Sequence, residues 1–329
     1  MQKAENPEEK VGKEFEHGAE ARGGTVVIAH PLGFCAGVER AITTVERALE
    51  AHGPPVYVRG EIVHSSHVVA RLERRGARFV DSERDVPRGA VCILSAHGVA
   101  PRVRSEARRR GLRVIDATCP LVAKVHAEVR RYADAGRTIV LIGQESHDEV
   151  VGTRAEAPER THVVADESEI DALPLAADEP IAYAVQTTLG VDETAGLIEH
   201  LEQRFHDVVG PARDDICYAT QNRQAALKSI AASCDVVLVA GARNSSNSNR
   251  LVDVATRLGT PGHLVPDAPE LRPEWLRGAR VVGLTAGASA PQSLVDAILD
   301  RLASLGFDSV RDHVHSSETV TFRPPSVVV

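Results

Sequence analysis

Apolar residues recur along the chain in two alternating patterns. Short continuous apolar runs of the kind that form buried strands are followed by stretches spaced three and four residues apart, the signature of a one-faced helix. Three such helices stand out: Val38, Ala41, Ile42, Val45, Ala48 and Leu49; then Val122, Val125, Val129, Tyr132 and Ala133; then Ala226, Leu227, Ile230, Ala231 and Cys234. A β-rich run follows each, at 56–58 with Ile62 and Val63, at 139–142 and at 236–239. A second run comes later in each stretch, at 91–94, 181–185 and 281–284. Every one of these runs ends in polar residues.

The three segments share a register. Each predicted helix opens directly after a cysteine, namely Cys35, Cys119 and Cys217. The polar end of the next run then falls 29 residues on at His64, 28 on at His147 and 28 on at Ser245. The second runs end in Ser95-Ala96-His97, Gln186-Thr187-Thr188 and Ala288-Ser289. Strands that alternate with helices imply parallel sheets. The spacing therefore predicts an α/β protein of three α/β domains with short parallel sheets, in a pseudo-threefold trefoil around one central site. The boundaries drawn are 36–118, 119–216, and 24–35 joined with 217–305. Residues 1–23 read as a disordered tail and 306–329 as a C-terminal tail. Ligands of open α/β sheets bind beyond the carboxyl ends of the strands, which is where the cysteines, histidines, threonines and serines collect.

Composition narrows the function. The 329 residues include 38 basic and 46 acidic side chains, a formal charge of −8, and only 3% are aromatic. That balance argues against nucleic-acid binding, which needs basic grooves and stacking rings. No apolar run approaches the ~20 residues of a membrane span, and the charged N-terminus has no apolar core of a signal peptide. A cytoplasmic protein is expected. The five lysines occupy no GxxxxGK[ST] motif, so a phosphate loop of the NTPase kind is excluded.

An odd, dispersed set of five cysteines is not a disulfide framework. Cys92 lies inside a strand-like run and Cys234 on an apolar helix face, so both read as core. Cys35, Cys119 and Cys217 stand in turns and read as ligands. Three thiolates fill three corners of a metal site and leave one position open for chemistry, in an iron–sulfur cluster or around zinc with a water. Without any CxxC pair, the fold must gather them. The run from Asn244 to Asn249, before a helix expected near Arg250, is dense in small donors and suits an anion. Alone it would be a capped loop; beside His64, His97 and His147 at equivalent strand ends it suits a phosphate or diphosphate. His147-Asp148-Glu149 adds a carboxyl, and a glutamate in a water-poor pocket can keep a proton at neutral pH and deliver it to a leaving hydroxyl. Asp148 fits a solvated loop acid equally well.

With these residues in hand, the chain resembles the LytB-type iron–sulfur family, the 4-hydroxy-3-methylbut-2-enyl diphosphate reductases that end the non-mevalonate isoprenoid pathway. The resemblance runs from about Val26 to Leu305 and rests on seven blocks in order: 33–38 (GFCAGV), 95–99 (SAHGV), 116–122 (DATCPLV), 186–189 (QTTL), 215–220 (DICYAT), 244–248 (NSSNS) and 285–289 (TAGAS). It implies a trefoil fold and a [4Fe-4S] cluster on Cys35, Cys119 and Cys217. It also implies diphosphate binding by His64, His97, His147, Ser245, Ser246, Asn247 and Ser289. Glu149 would be the proton source, with Thr187 and Thr188 orienting the hydroxyl and the proton relay. The implied reaction is a two-electron reductive dehydroxylation fed by ferredoxin or flavodoxin. Two positions depart from the family pattern, Ser65 where asparagine is usual and Asp148 where proline is usual. A paralogue of altered activity, a diphosphate-binding iron–sulfur sensor and a zinc or thiolate hydrolase of a phosphorylated substrate are the alternatives.

Overall fold

Three parallel sheets divide the chain in a computed structural model that describes residues 23–328. The tail expected over 1–23 lies, apart from Gly23, outside the described residues. β1 (Thr25–His30) leads into α1 (Ala36–His52), followed by β2 (Val56–Arg59), α2 (Ser66–Arg74), β3 (Ala77–Val80), β4 (Val91–Leu94), α3 (Pro101–Arg109) and β5 (Arg113–Asp116). The second unit runs through α4 (Pro120–Asp134), β6 (Thr138–Ile142), α5 (Asp148–Arg154), β7 (Thr161–Val164), α6 (Glu167–Asp171), β8 (Ile181–Val185), α7 (Val191–Arg204) and β9 (Val208–Val209). The third comprises α8 (Tyr218–Ala231), β10 (Val236–Ala240), α9 (Ser246–Arg257), β11 (Gly262–Val265), β12 (Val281–Ala286), α10 (Gln292–Ser304) and β13 (Ser309–Val314).

The sheet orders are β3-β2-β4-β5, β7-β6-β8-β9 and β11-β10-β12-β1-β13, with every pairing parallel. One pattern occurs three times, because β1 stands in the third sheet where β5 and β9 stand in the first two. The N-terminal strand thus completes the last unit, and the α/β trefoil closes on itself. Strands buried on both faces explain the unbroken apolar runs: Val236 through Ala240 are all buried, as are Thr138 through Ile142. The helices are one-sided by contrast. α1 turns Val38, Ala41, Ile42, Val45, Ala48 and Leu49 onto Val56, Val58 and Ile93 of the first sheet. Burying each such valine or leucine contributes roughly 1.5–3 kcal/mol.

The structure corrects three expectations. The segment after Gly306 is not a tail: β13 pairs along the whole of β1, from Thr25↔Ser309 to His30↔Val314. Beyond it, Glu318 meets the guanidinium of Arg223 at 3.0 Å. Arg223 is fully buried, and a buried charge requires such a partner. Second, α9 begins at Ser246 rather than near Arg250 because Ser245 caps it, its Oγ accepting from the Ser248 amide. Third, Cys234 lies past the end of α8, in a turn closed by its amide on the Ala231 carbonyl. It still packs in the core with Ala226 and Ile230, and Cys92 is fully buried within β4. No described helix is long and apolar enough to cross a membrane.

Candidate active site

In each sheet the chain order reverses between two central strands: β2 and β4, β6 and β8, β10 and β12. Such switch points leave a crevice beyond the strand ends. The loops leaving these six strands carry His64, His97, His147, Thr187, Ser245 and Ser289, and all of them border a single cavity of about 110 Å³. The thirteen residues that the resemblance assigns to the site line it: Cys35, Cys119, Cys217, His64, His97, His147, Glu149, Thr187, Thr188, Ser245, Ser246, Asn247 and Ser289; Asp148 and Asn244 do not.

The cysteines form its floor. Each is the N-cap of the helix it opens, so the positive ends of α1, α4 and α8 point at the three sulfurs. Gly37 permits the approach, since a Cβ there would stand 2.8 Å from the Cys119 Sγ and 3.7 Å from the Cys35 Sγ. Burial pushes the Cys119 thiol up to about 12 and the Cys217 thiol to about 11, and raises Cys35 as well; Cys35 and Cys217 add to the rise at Cys119, and Cys35 to that at Cys217. Three thiolates gathered out of water require a cationic partner to stay ionised. The donor set, three sulfurs at three helix N-termini with apolar Val38 and Val122 beside them, therefore fits an iron–sulfur cluster. It fits a single ion less well. Among the described residues, the one trio of His, Cys, Asp or Glu with ligand atoms all within 4.8 Å is His64, His97 and Asp148, not the thiols.

Imidazoles and hydroxyls form the wall. The His64 and His97 rings stack at 3.9 Å between centroids and 16°, and His147 meets them edge-on at 5.5 and 6.1 Å. Burial drives His97 well below its ordinary value, and His147 down to about 4. His147 accepts the Glu149 amide at Nδ1, which leaves Nε2 as the protonated nitrogen. His64 differs: its Nδ1 faces the Glu61 carboxylate at 3.1 Å, and Asn244 donates to the same oxygen at 2.9 Å. The Ser289 hydroxyl donates to the His64 carbonyl at 2.8 Å, tying the third unit to the first.

Glu149 sits between floor and wall and is 3% exposed. The Thr187 amide donates to its Oε1 at 2.7 Å and the Thr187 hydroxyl meets its Oε2 at 2.9 Å. Burial outweighs these contacts and lifts its pKa to about 7, so the carboxyl holds a proton for much of the time at neutral pH. Thr188 and Ser246 join their hydroxyls at 3.0 Å, and Gln186 donates to both. Gln186 was visible in the sequence only as part of a motif. Glu61 was missed, although a carboxylate three residues before a histidine is a readable signal. Phe322, which also borders the cavity, had none.

This is an α/β trefoil with a three-thiol floor, a wall of imidazoles and hydroxyls, and a buried carboxyl of raised pKa between them. A family model described as "LytB protein" matches residues 26–303, and the chain belongs to that family. It is 54% identical over 301 residues to the 4-hydroxy-3-methylbut-2-enyl diphosphate reductase of Burkholderia pseudomallei, covering 92% of this chain and 96% of that protein. The solved E-1-hydroxy-2-methyl-but-2-enyl-4-diphosphate reductase of Plasmodium falciparum superposes with a TM-score of 0.89 at 36% identity, over 92% of this chain and 96% of that one. A second solved structure, described as (E)-4-hydroxy-3-methyl-but-2-enyl diphosphate reductase, the terminal enzyme of the non-mevalonate pathway, aligns at 32% identity with a TM-score of 0.61. It covers 85% of this chain and 99% of its own.

Proposed function

We propose that this protein is an iron–sulfur oxidoreductase. It removes the hydroxyl of 4-hydroxy-3-methylbut-2-enyl diphosphate with two electrons, giving isopentenyl and dimethylallyl diphosphates at the end of the non-mevalonate isoprenoid pathway. Two electrons and two protons enter, the allylic C–O bond breaks, a C–H bond forms and water leaves. The observation that carries this reading is the meeting of three helix-capping thiols, three imidazoles and a buried carboxyl of raised pKa in one cavity.

Cys35, Cys119 and Cys217 would hold a [4Fe-4S] cluster, which when bound supplies the electrons and a Lewis-acidic iron for the hydroxyl. The protein's own groups do the rest. His64, His97, His147, Ser245, Ser246, Asn247 and Ser289 hold the diphosphate, so that binding energy at the remote end orients the reacting one. Local donors achieve this against a net charge of −8, and recognition is a property of the pocket rather than of the whole molecule. Glu149 gives its proton to the departing hydroxyl, while the Thr187 amide and hydroxyl receive the charge left on the carboxylate. Thr188, bonded to Ser246, orients the substrate hydroxyl. A reduced ferredoxin or flavodoxin is the electron donor, and the enzyme works in the cytoplasm.

The test is anaerobic purification with iron and sulfide analysis, followed by turnover of the hydroxylated diphosphate with a reduced low-potential donor. Four irons per chain and formation of both alkenyl diphosphates are expected. Colourless, iron-free protein would overturn the reading, as would zinc with redox-independent hydrolysis of a phosphorylated substrate. A loaded cluster that binds the diphosphate without reducing it would make the protein a sensor instead.

A further inference from the structure

The three units are equivalent at the cysteines and unequal three residues later. Val38 follows Cys35, Val122 follows Cys119, but Thr220 follows Cys217, and all three line the cavity. Threonine is valine with one methyl replaced by a hydroxyl. That hydroxyl lies 3.2 Å from the Cys217 Sγ, and the Thr220 amide donates to the same sulfur at 3.4 Å. At the other two helix caps only backbone amides face the sulfur, those of Gly37 and Val38 at Cys35 and those of Leu121 and Val122 at Cys119, and no hydroxyl stands beside them.

The direction of the hydroxyl is set from behind. The Ala288 amide donates to the Asn247 Oδ1 at 3.0 Å, which turns the Asn247 Nδ2 toward the Thr220 Oγ1 at 3.2 Å. Thr220 Oγ1 thus accepts one hydrogen bond, and its own proton is free for the sulfur. A sulfur that serves as a metal ligand has no proton to offer, so the hydroxyl is the donor. The chain is buried: Thr220 is 1% exposed and Asn247 4%. It joins the wall residue Asn247 to one of the three floor sulfurs and to no other.

We infer that Thr220 is a positioning residue that donates a hydrogen bond to the Cys217 sulfur, raises the reduction potential of the cluster held there, and makes Cys217 electronically distinct from Cys35 and Cys119. The inference rests on the iron–sulfur reading above. Its physical basis is that reduction adds negative charge to the sulfurs. A donor to a sulfur is therefore bound more tightly in the reduced state and favours it. Because Asn247 orients the same hydroxyl, the anion-binding wall and the redox centre share one hydrogen-bonded chain.

The test is a redox titration of the reconstituted holoenzyme followed by electron paramagnetic resonance. Thr220→Val installs the residue that the other two units carry. At the wild-type midpoint it should lower the ratio of reduced to oxidised cluster about tenfold, which is about 59 mV for one electron. Thr220→Ser, which keeps the hydroxyl, should restore most of the wild-type value. kcat should fall further than KM rises, since Asn247 loses one acceptor but keeps its anchor on the Ala288 amide. Val122→Thr, the reverse exchange beside Cys119, should move the midpoint upward, and it decides the matter if Thr220→Val does not load iron. A Thr220→Val enzyme that titrates with wild type, or a Val122→Thr enzyme that does not shift upward, overturns the inference while leaving the reductase reading intact. Wild-type protein that takes up no iron overturns both.

Discussion

The floor and the wall of the cavity are built from the same three repeats and follow opposite rules. On the floor each unit contributes one cysteine at one register, each the N-cap of a helix. On the wall the units diverge. The first gives His64 and His97, the second gives His147, Glu149 and Thr187, and the third gives Ser245, Ser246, Asn247 and Ser289. Three corners of the proposed cluster would ask for equivalent ligands, which fits the repeat being kept there. An elongated substrate with an anionic end and a reacting end has direction, so the repeat is broken. The acid stands in one unit alone, and the histidine that faces a carboxylate in another.

Breaking the floor should have the largest effect. Cys119→Ser replaces a thiolate with a poor iron ligand, and activity should fall below detection together with bound iron, while the circular dichroism of the polypeptide is kept. Breaking the wall at its one acid should leave iron content unchanged. Glu149→Gln should lower kcat by roughly 10²–10⁴-fold, the worth of a general acid. The proton donor is active in its protonated form, so kcat of the wild type should decline as pH rises through about 7. The Thr187 hydroxyl stabilises the ionised carboxyl; removing it in Thr187→Val should raise the Glu149 pKa further and carry that limb to higher pH. A limb that stays in place, or one that moves to lower pH, would show that Thr187 does not set this acid.

The same contrast explains what could be read from the sequence. The floor was legible because a repeat leaves a spacing. Cysteines in one register, each followed by a helix and a strand, give the three-unit α/β plan without any contact being known. Much of the wall was legible because its residues cap strands or helices. The rest depends on neighbours distant in the chain. Glu61 acquires meaning only when Asn244, from the third unit, arrives on the same carboxylate oxygen. The segment after Gly306 looked like a tail because β13 (SVRDHV) is polar and half-exposed, an edge strand held by its backbone pairing to β1 rather than by an apolar pattern.

Within the wall, Glu61 tests whether the carboxylate that holds one imidazole matters to the anion. His97 and His147 are held neutral by burial, and His64 alone of the three has its Nδ1 against a carboxylate. Glu61→Gln removes the charged partner of that hydrogen bond and should raise the KM for the diphosphate by about severalfold, with kcat changed less. An unchanged KM would show that Glu61 does not position His64 for the anion.

The smallest effect sharpens the comparison from outside the cavity. Cys92 and Cys234 are buried too, and burial pushes each thiol to about 11. They differ in having no helix N-terminus aimed at them and no second sulfur nearby. Cys92→Ala and Cys234→Ala should therefore leave iron content and turnover untouched, and should cost only the core packing of one sulfur atom, about 1 kcal/mol each, seen as a few degrees in the thermal unfolding midpoint. Loss of iron from either variant would mean that burial of a thiol, rather than its place at the head of a helix facing two others, selects the ligands.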